Sequence, residues 1–312
     1  MPFSPAEIDY LRKSLQATPT IRPDAREPNQ FRPVDAAQNF LPATNGSARI
    51  RTSDGGECIV GVKAKVVKNS SVDELIAVEV DIDDIRDDSP LPKLLSAVLQ
   101  TLILSSIDTN RLRLTRSNYA FKLHIDALVL SHTSFPLNLV SLAIFLALKC
   151  TRLPLLVSSA NDEEHEEVPV FSDDWEESLA LCGGEILANN SGSEAISWTP
   201  PLVFSLAVVG NNILVDPTHE EESVSDLGLI MGWCNGQVCA PLRIIDLASA
   251  GGNVSPEQLS QQQSMLEQGI DLNMKGTSRK LIMKAYSLLT NTAPEVVAAL
   301  DATADEEDGA LF

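Results

Sequence analysis

The chain has 312 residues, 44% of them hydrophobic, with 43 acids against 23 bases and a formal net charge of -20. That length fits one large α/β unit or two fused similar units, and the acidity argues against a surface that by itself grips a polyanion. The charge is uneven: 11 acids and no Lys or Arg lie from Ser158 to Pro201, and 5 acids and no base from Asp301 onward, leaving the body 27 acids against 23 bases.

Near balance in the body means that it need not repel RNA held by basic neighbours. The five cysteines, Cys58, Cys150, Cys182, Cys234 and Cys239, form no C-x-x-C pair and read as reduced structural thiols. MPFSPAEIDYLRKSL lacks a basic start followed by an apolar core, and the apolar run Leu137–Leu148 is too short to span a bilayer. The expectation is a soluble intracellular protein with no membrane partner.

Ser4-Pro5-Ala6-Glu7 combines a capping Ser, Pro at the first helical position and a Glu three residues on, which predicts a helix to about Leu15. The N-terminal helix occupies 1–20, and 21–157 forms the first half. The Pro-rich TPTIRPDAREPNQFRP carries Arg22, Arg26 and Arg32 in extended chain. Such a segment lies across a partner's surface or RNA, lies across its own sheet, or is a solvated connector.

Ser47 to Thr52 and ECIVGVKAKVVK predict two strands joined by a turn at SDGGE. Lys63 and Lys65 share one face of the second strand, either facing RNA or simply solvated. LIAVEVDI is a third strand, and KLLSAVLQTLIL has helical spacing.

In YAFKLHIDALVLS, residues 119 to 131, alternate side chains point inward, leaving His124 and Asp126 together on the other face. They form an acid/base pair or, more blandly, a local polar contact. PLNLVSLAIFLALK is apolar on nearly all sides, as in a helix buried between two layers.

Residues 158–200 form an acidic insertion expected to be flexible, with His165 among its acids in a charged loop rather than a metal site. The pattern restarts in the second half, 201–300. PPLVFSLAVVG and NILVD are strands, DLGLIMGWCNGQVCAPLR is a hairpin around Asn235-Gly236, and Ser255-Pro256-Glu257 starts further helices. Residues 301–312 are an acidic, loose tail. Strands then helices, twice over, predict an α+β fold of two similar β-α-β-α halves.

The ordered set RPDAREPNQFRP, NGSARIR, ECIVGVKAKV, the HIDALVL strand with its buried helix, and LVDPTHEEE resembles the RNase PH family. The similarity spans the chain from the first helix to the last and is weakest in the acidic insertion. It implies the RNase PH-like (ribosomal protein S5 domain 2-like) fold and a place among the RNase PH-like subunits of the hetero-hexameric RNA exosome ring. The implied partners are those subunits, S1/KH-type cap proteins, separately bound hydrolytic exoribonucleases and RNA threading the assembled ring. The implied locations are nucleus, nucleolus and cytoplasm.

Phosphorolysis by active family members needs an anion cradle, cations on the RNA backbone and carboxylates at the scissile bond. The family's Gly-Gly-x-Arg type loop matches SHTSFPLN, residues 131 to 138, which has neither Gly nor Arg and places Pro136, without an N–H, in the cradle. Of the acids, Glu222 matches one family position, and the second falls near Gly228 or Asp226. Asp216 matches a position that inactive members share, and reads as a structural acceptor of turn N–H groups.

His219, Glu221 and Glu222 lie too close together on one turn to converge on a divalent ion. The expectation is therefore a non-catalytic chain with no cofactor and no metal, in which Asp216 and Glu222 are vestigial. The alternatives are an active phosphate-dependent exoribonuclease subunit, and an acidic adaptor that recruits a basic partner.

Overall fold

The computed structural model describes residues 3–68, 74–86, 88–114, 119–157, 169–186, 196–247 and 277–307. Helix α1, Pro5–Gln16, starts at a complete capping box: the Ser4 hydroxyl accepts from the Glu7 N–H while the Glu7 carboxylate accepts from the Ser4 N–H.

The first half is a five-stranded sheet in the order β1-β2-β3-β5-β4. Its strands are β1 Val34–Gln38, β2 Gly46–Thr52, β3 Glu57–Lys68, β4 Ile76–Ile82 and β5 Tyr119–Ser131. Pairing is antiparallel except for β4 with β5, so the return between them is a crossover, made by α2, Pro90–Ser106. Alternation in β5 sends Phe121, Leu123, Ile125, Ala127 and Val129 into the core and leaves Asp126 and Leu128 outside.

Helix α3, Leu137–Lys149, is buried at every residue from Leu137 to Leu148. It packs on β2 and β3 on one side and on strand β8, Leu202–Val209, on the other, which explains an apolar run with no polar face. At about 1.5–3 kcal/mol for each large aliphatic or aromatic side chain buried, this helix is a principal source of stability.

The second half is an antiparallel four-stranded sheet, β11-β10-β8-β9, from β8 Leu202–Val209, β9 Asn212–Val215, β10 Leu227–Cys234 and β11 Gln237–Ile245. Asn235 and Gly236 both take positive φ at the β10–β11 turn, as an Asn-Gly hairpin requires. A short helix α4, His219–Ser223, follows β9, and a long helix α5, Arg279–Glu307, closes the described chain. The helix start at Ser255-Pro256-Glu257 lies outside the described residues, as does His165.

Two acidic segments make defined contacts over their described residues. The acidic insertion is tied down over its described residues: β6, Arg152–Leu153, pairs with β7, Leu179–Ala180, and Leu156 bridges Phe171. The buried Arg111 guanidinium donates to the carbonyls of Leu181, Gly183 and Ile196. A short sequence window shows the charge of this segment but not the distant cation that collects its carbonyls. At the start of the tail α5 runs on through Glu307, and Lys149 pairs with Asp301. No helix among the described residues is long and apolar enough to cross a membrane.

Candidate functional site

The turn after β9, the start of α3 and the extended segment before β1 come together between the two sheets. The segment lies across its own second half, where the Val215 N–H donates to the Pro28 carbonyl. Arg22 follows with its guanidinium fully buried. Its Nε and Nη2 each lie 2.7 Å from a Glu221 carboxylate oxygen, and Nη1 and Nη2 cap the carbonyls of Val215 and Asp216 at 3.1 Å. This two-point contact is the geometry in which an Arg–carboxylate pair is strongest.

Arg32 binds Asp216 through its backbone N–H and Nε, both 2.9 Å from Oδ2, and through Nη2, 2.7 Å from Oδ1. Its Nη1 reaches Ser134 Oγ at 2.9 Å and pairs with Asp54. Asn138, in the first turn of α3, donates to Asp216 Oδ1 at 3.2 Å and accepts from the Ser205 N–H on β8 at 2.7 Å. Arg26 pairs with Asp24 and lies 3.4 Å from Asp216.

Asp216 sits at φ 49°, a left-handed turn that Asp tolerates better than branched residues do. Burial would raise its carboxyl, but the hydrogen bonds and charge of Arg32 outweigh that and hold it below the ordinary value. Reciprocally, burial pulls Arg32 down, and Asp216 more than compensates and raises it.

Glu222 turns the other way. Both its oxygens accept the Phe135 N–H, at 2.8 and 3.1 Å, at the residue just before the α3 N-cap, Pro136. Burial pushes this carboxyl up to about 8, against the Phe135 amide and Arg32, with Asp216 and Glu221 adding to the rise. Glu222 therefore takes up the Phe135 N–H in the loop just ahead of α3.

Asp216 is corrected in its partners: it accepts from Arg32 and Asn138, far away in sequence, rather than from local turn N–H groups. Arg22, Arg26 and Arg32, expected as RNA or partner contacts, have side chains only 0%, 8% and 8% exposed and spend their charge on carboxylates of this chain. Within the chain the segment lies against the second half, at Val215, Asp216 and Glu221.

Lys63 and Lys65 are exposed on one face of β3, opposite His124 and Lys122. His124 and Asp126 also share a face, with Glu79 beside Asp126, and nothing among the described contacts joins them. Asp226, near the second acidic family position, is drawn to α1, where it pairs with Arg12 and accepts from the Gly210 N–H at 2.7 Å.

His219, Glu221 and Glu222 diverge: His219 stands 5.9 Å from the Phe3 ring, Glu221 faces Arg22, and Glu222 faces α3. Among the described residues no group of three or more His, Cys, Asp or Glu is placed to hold a metal ion. Sequence reasoning missed the Arg22–Glu221 pair and the Phe135–Glu222 contact. The one available signal was complementarity between a three-arginine segment and the acidic turn.

Fold and site together define an RNase PH-type chain. Residues 30–154 match the model of the 3' exoribonuclease family, domain 1. Over 303 residues the chain is 39% identical to exosome complex component RRP42 of Saccharomyces cerevisiae, covering 96% of this chain and 99% of that one. It is 32% identical over 250 residues to rrp42 of Schizosaccharomyces pombe, covering 74% and 78%. An archaeal exosome core structure shares the fold at TM-score 0.61 and 19% identity, over 95% of this chain and 96% of that one. The chain belongs to the RNase PH family, and within it to the RRP42-like exosome components.

Proposed function

We propose that this chain is a non-catalytic ring subunit of an RNA exosome, scaffolding a complex that processes and degrades RNA from the 3' end. Its partners are other RNase PH-like subunits, S1/KH-type caps and bound hydrolytic exoribonucleases, with RNA reached through the assembled ring, in nucleus, nucleolus and cytoplasm. The observation that carries the non-catalytic reading is that the 131–138 loop offers no open anion cradle. Phe135 gives its N–H to Glu222, Pro136 has none, and Arg32 is spent on Asp216 and Asp54.

Phosphorolysis needs those groups for inorganic phosphate and the RNA backbone. A site shared with a neighbour's arginines would still need a carboxylate free to place a metal or move a proton. Asp216 is engaged by Arg32 and Asn138, and Glu222 is buried against α3.

The test is phosphate-dependent release of nucleoside diphosphates by reconstituted rings carrying the parent chain, Asp216→Asn or Glu222→Gln. Equal release from all three is expected. A rate that falls with either substitution, in rings that assemble equally well, would overturn the reading.

A further inference from the structure

A cleft of about 550 Å³ opens at the end of α3 remote from Glu222, where the link from β1 to β2, the last residues of α3 and the Trp175 turn face one another. A helix of this length sets the two places about 20 Å apart, so the cleft is separate from the carboxyl cluster. Lys149 and Arg152 are its charged lining, and among the described residues no carboxylate lines it. Leu41, Pro42 and Trp175 add apolar surface.

The two cations differ in what they hold. Lys149, in the last turn of α3, is paired with Asp301 of α5. Arg152 is exposed, and among the described residues no group takes up its guanidinium. Its backbone is nevertheless fixed. The Arg152 N–H donates to the Asn45 carbonyl at 2.9 Å, its carbonyl accepts from the Asn45 side-chain amide at 3.1 Å, and it pairs with Ala180 across β6 and β7. A guanidinium on an anchored strand is a prepared receptor for one carboxylate, which it can grip at two points.

We propose that this cleft docks a segment of a protein partner carrying one Asp or Glu beside a Leu or Phe. The carboxylate sits on Arg152, and the apolar group lies against Trp175, Leu41 and Pro42. The Lys149–Asp301 pair shows that the same wall already accepts a carboxylate from a passing element of the fold. Asp173, Asp174, Glu176 and Glu177 are exposed on the Trp175 turn but lie outside the lining. They limit the charge of the occupant: one carboxylate is matched by Arg152, whereas a run of phosphates finds no second unpaired cation in the lining and faces those four acids. A nucleobase would also stack on the indole, so it is charge that selects a sparsely acidic peptide over RNA.

The test titrates the full-length chain with three capped hexapeptides, Gly-Leu-Phe-X-Ser-Gly with X as Asp, Asn or Lys, at physiological salt. The Asp peptide is expected to bind about tenfold more tightly than the Asn peptide, the scale of one contact between charged hydrogen-bonding groups. Arg152→Gln should remove that preference and leave the Asn peptide unchanged, which isolates the pair as a double-mutant cycle. Trp175→Ala should weaken the Asp and Asn peptides alike. Trp175 is 50% exposed while Trp198 and Trp233 are 6% and 5% exposed, so a shift in indole emission on binding places the peptide at the cleft. Unchanged circular dichroism would show that both variants fold.

An Asp preference that survives Arg152→Gln would mean that the carboxylate sits elsewhere and would overturn the proposal. So would equal affinity for the Asp and Asn peptides, preference for the Lys peptide, or no binding of any of the three at millimolar concentration. Tighter Arg152-dependent binding of a short oligoadenylate would assign the cleft to RNA, and self-association abolished by Arg152→Gln would assign it to a second copy; either result would also overturn it.

Discussion

Arg32 and Asp216, 184 residues apart in the chain, meet through three N–H donors at 2.7 to 2.9 Å. The contact ties the extended segment before β1 to the turn after β9, and Asn138 on α3 joins it to β8. The Arg32–Asp216 pair thus acts as a fastening between the two halves.

Removing one member leaves the other buried and uncompensated. Arg32→Ala is expected to cost about 3–5 kcal/mol in urea unfolding, as for other broken buried pairs. Arg26→Ala, whose contact with Asp216 is longer, should cost much less. Asp216 is depressed in the fold, so its contribution is present above the unfolded value of 3.8 and is lost as pH falls through the lower folded value. Acid unfolding of Asp216→Asn should lack that component.

Glu222 has the opposite sign. Its folded value of about 8 lies above the ordinary 4.5, so its contribution is full below 4.5 and is lost as pH rises through about 8. Glu222→Gln keeps an acceptor for the Phe135 N–H and removes the titration. The variant should flatten the fall in stability between those limits. Parallel melting profiles of parent and variant across this range would count against the assignment.

Gly46 marks where β2 passes the end of α3. A Cβ there would lie 2.6 Å from the Ala147 carbonyl and 2.7 Å from Thr151 Cα, both backbone atoms. Gly46→Ala should cost about 1–3 kcal/mol or more by overpacking, read as a lower urea midpoint with unchanged slope.

Arg111 anchors the described end of the acidic insertion through three carbonyls. Arg111→Met should speed proteolytic cleavage after Leu181 and lower stability by about 1–3 kcal/mol, because those carbonyls lose their donor. Limited proteolysis beside a urea melt separates local loosening from global unfolding.

Much of the fold was legible because period alone decides it. The alternation in YAFKLHIDALVLS fixed a strand with its buried face, and the all-round apolar PLNLVSLAIFLALK fixed a helix between layers. The α5 extension was obscured because an acidic, solvated helix face and a loose acidic tail share one composition. The contacts of the insertion's described residues were obscured because Arg111, which collects the carbonyls of Leu181, Gly183 and Ile196, stands outside it.

By itself, the sequence determined the strand and helix pattern, the absence of Gly and Arg from the 131–138 loop, and the family resemblance in LVDPTHEEE. Only the tertiary structure decided that Arg22 and Arg32 are spent on Glu221 and Asp216, and that Glu222 rests on the Phe135 amide. The reason is physical. Local periodicity follows from neighbouring residues, whereas burying a charge requires a partner, and each partner here comes from the other half of the chain.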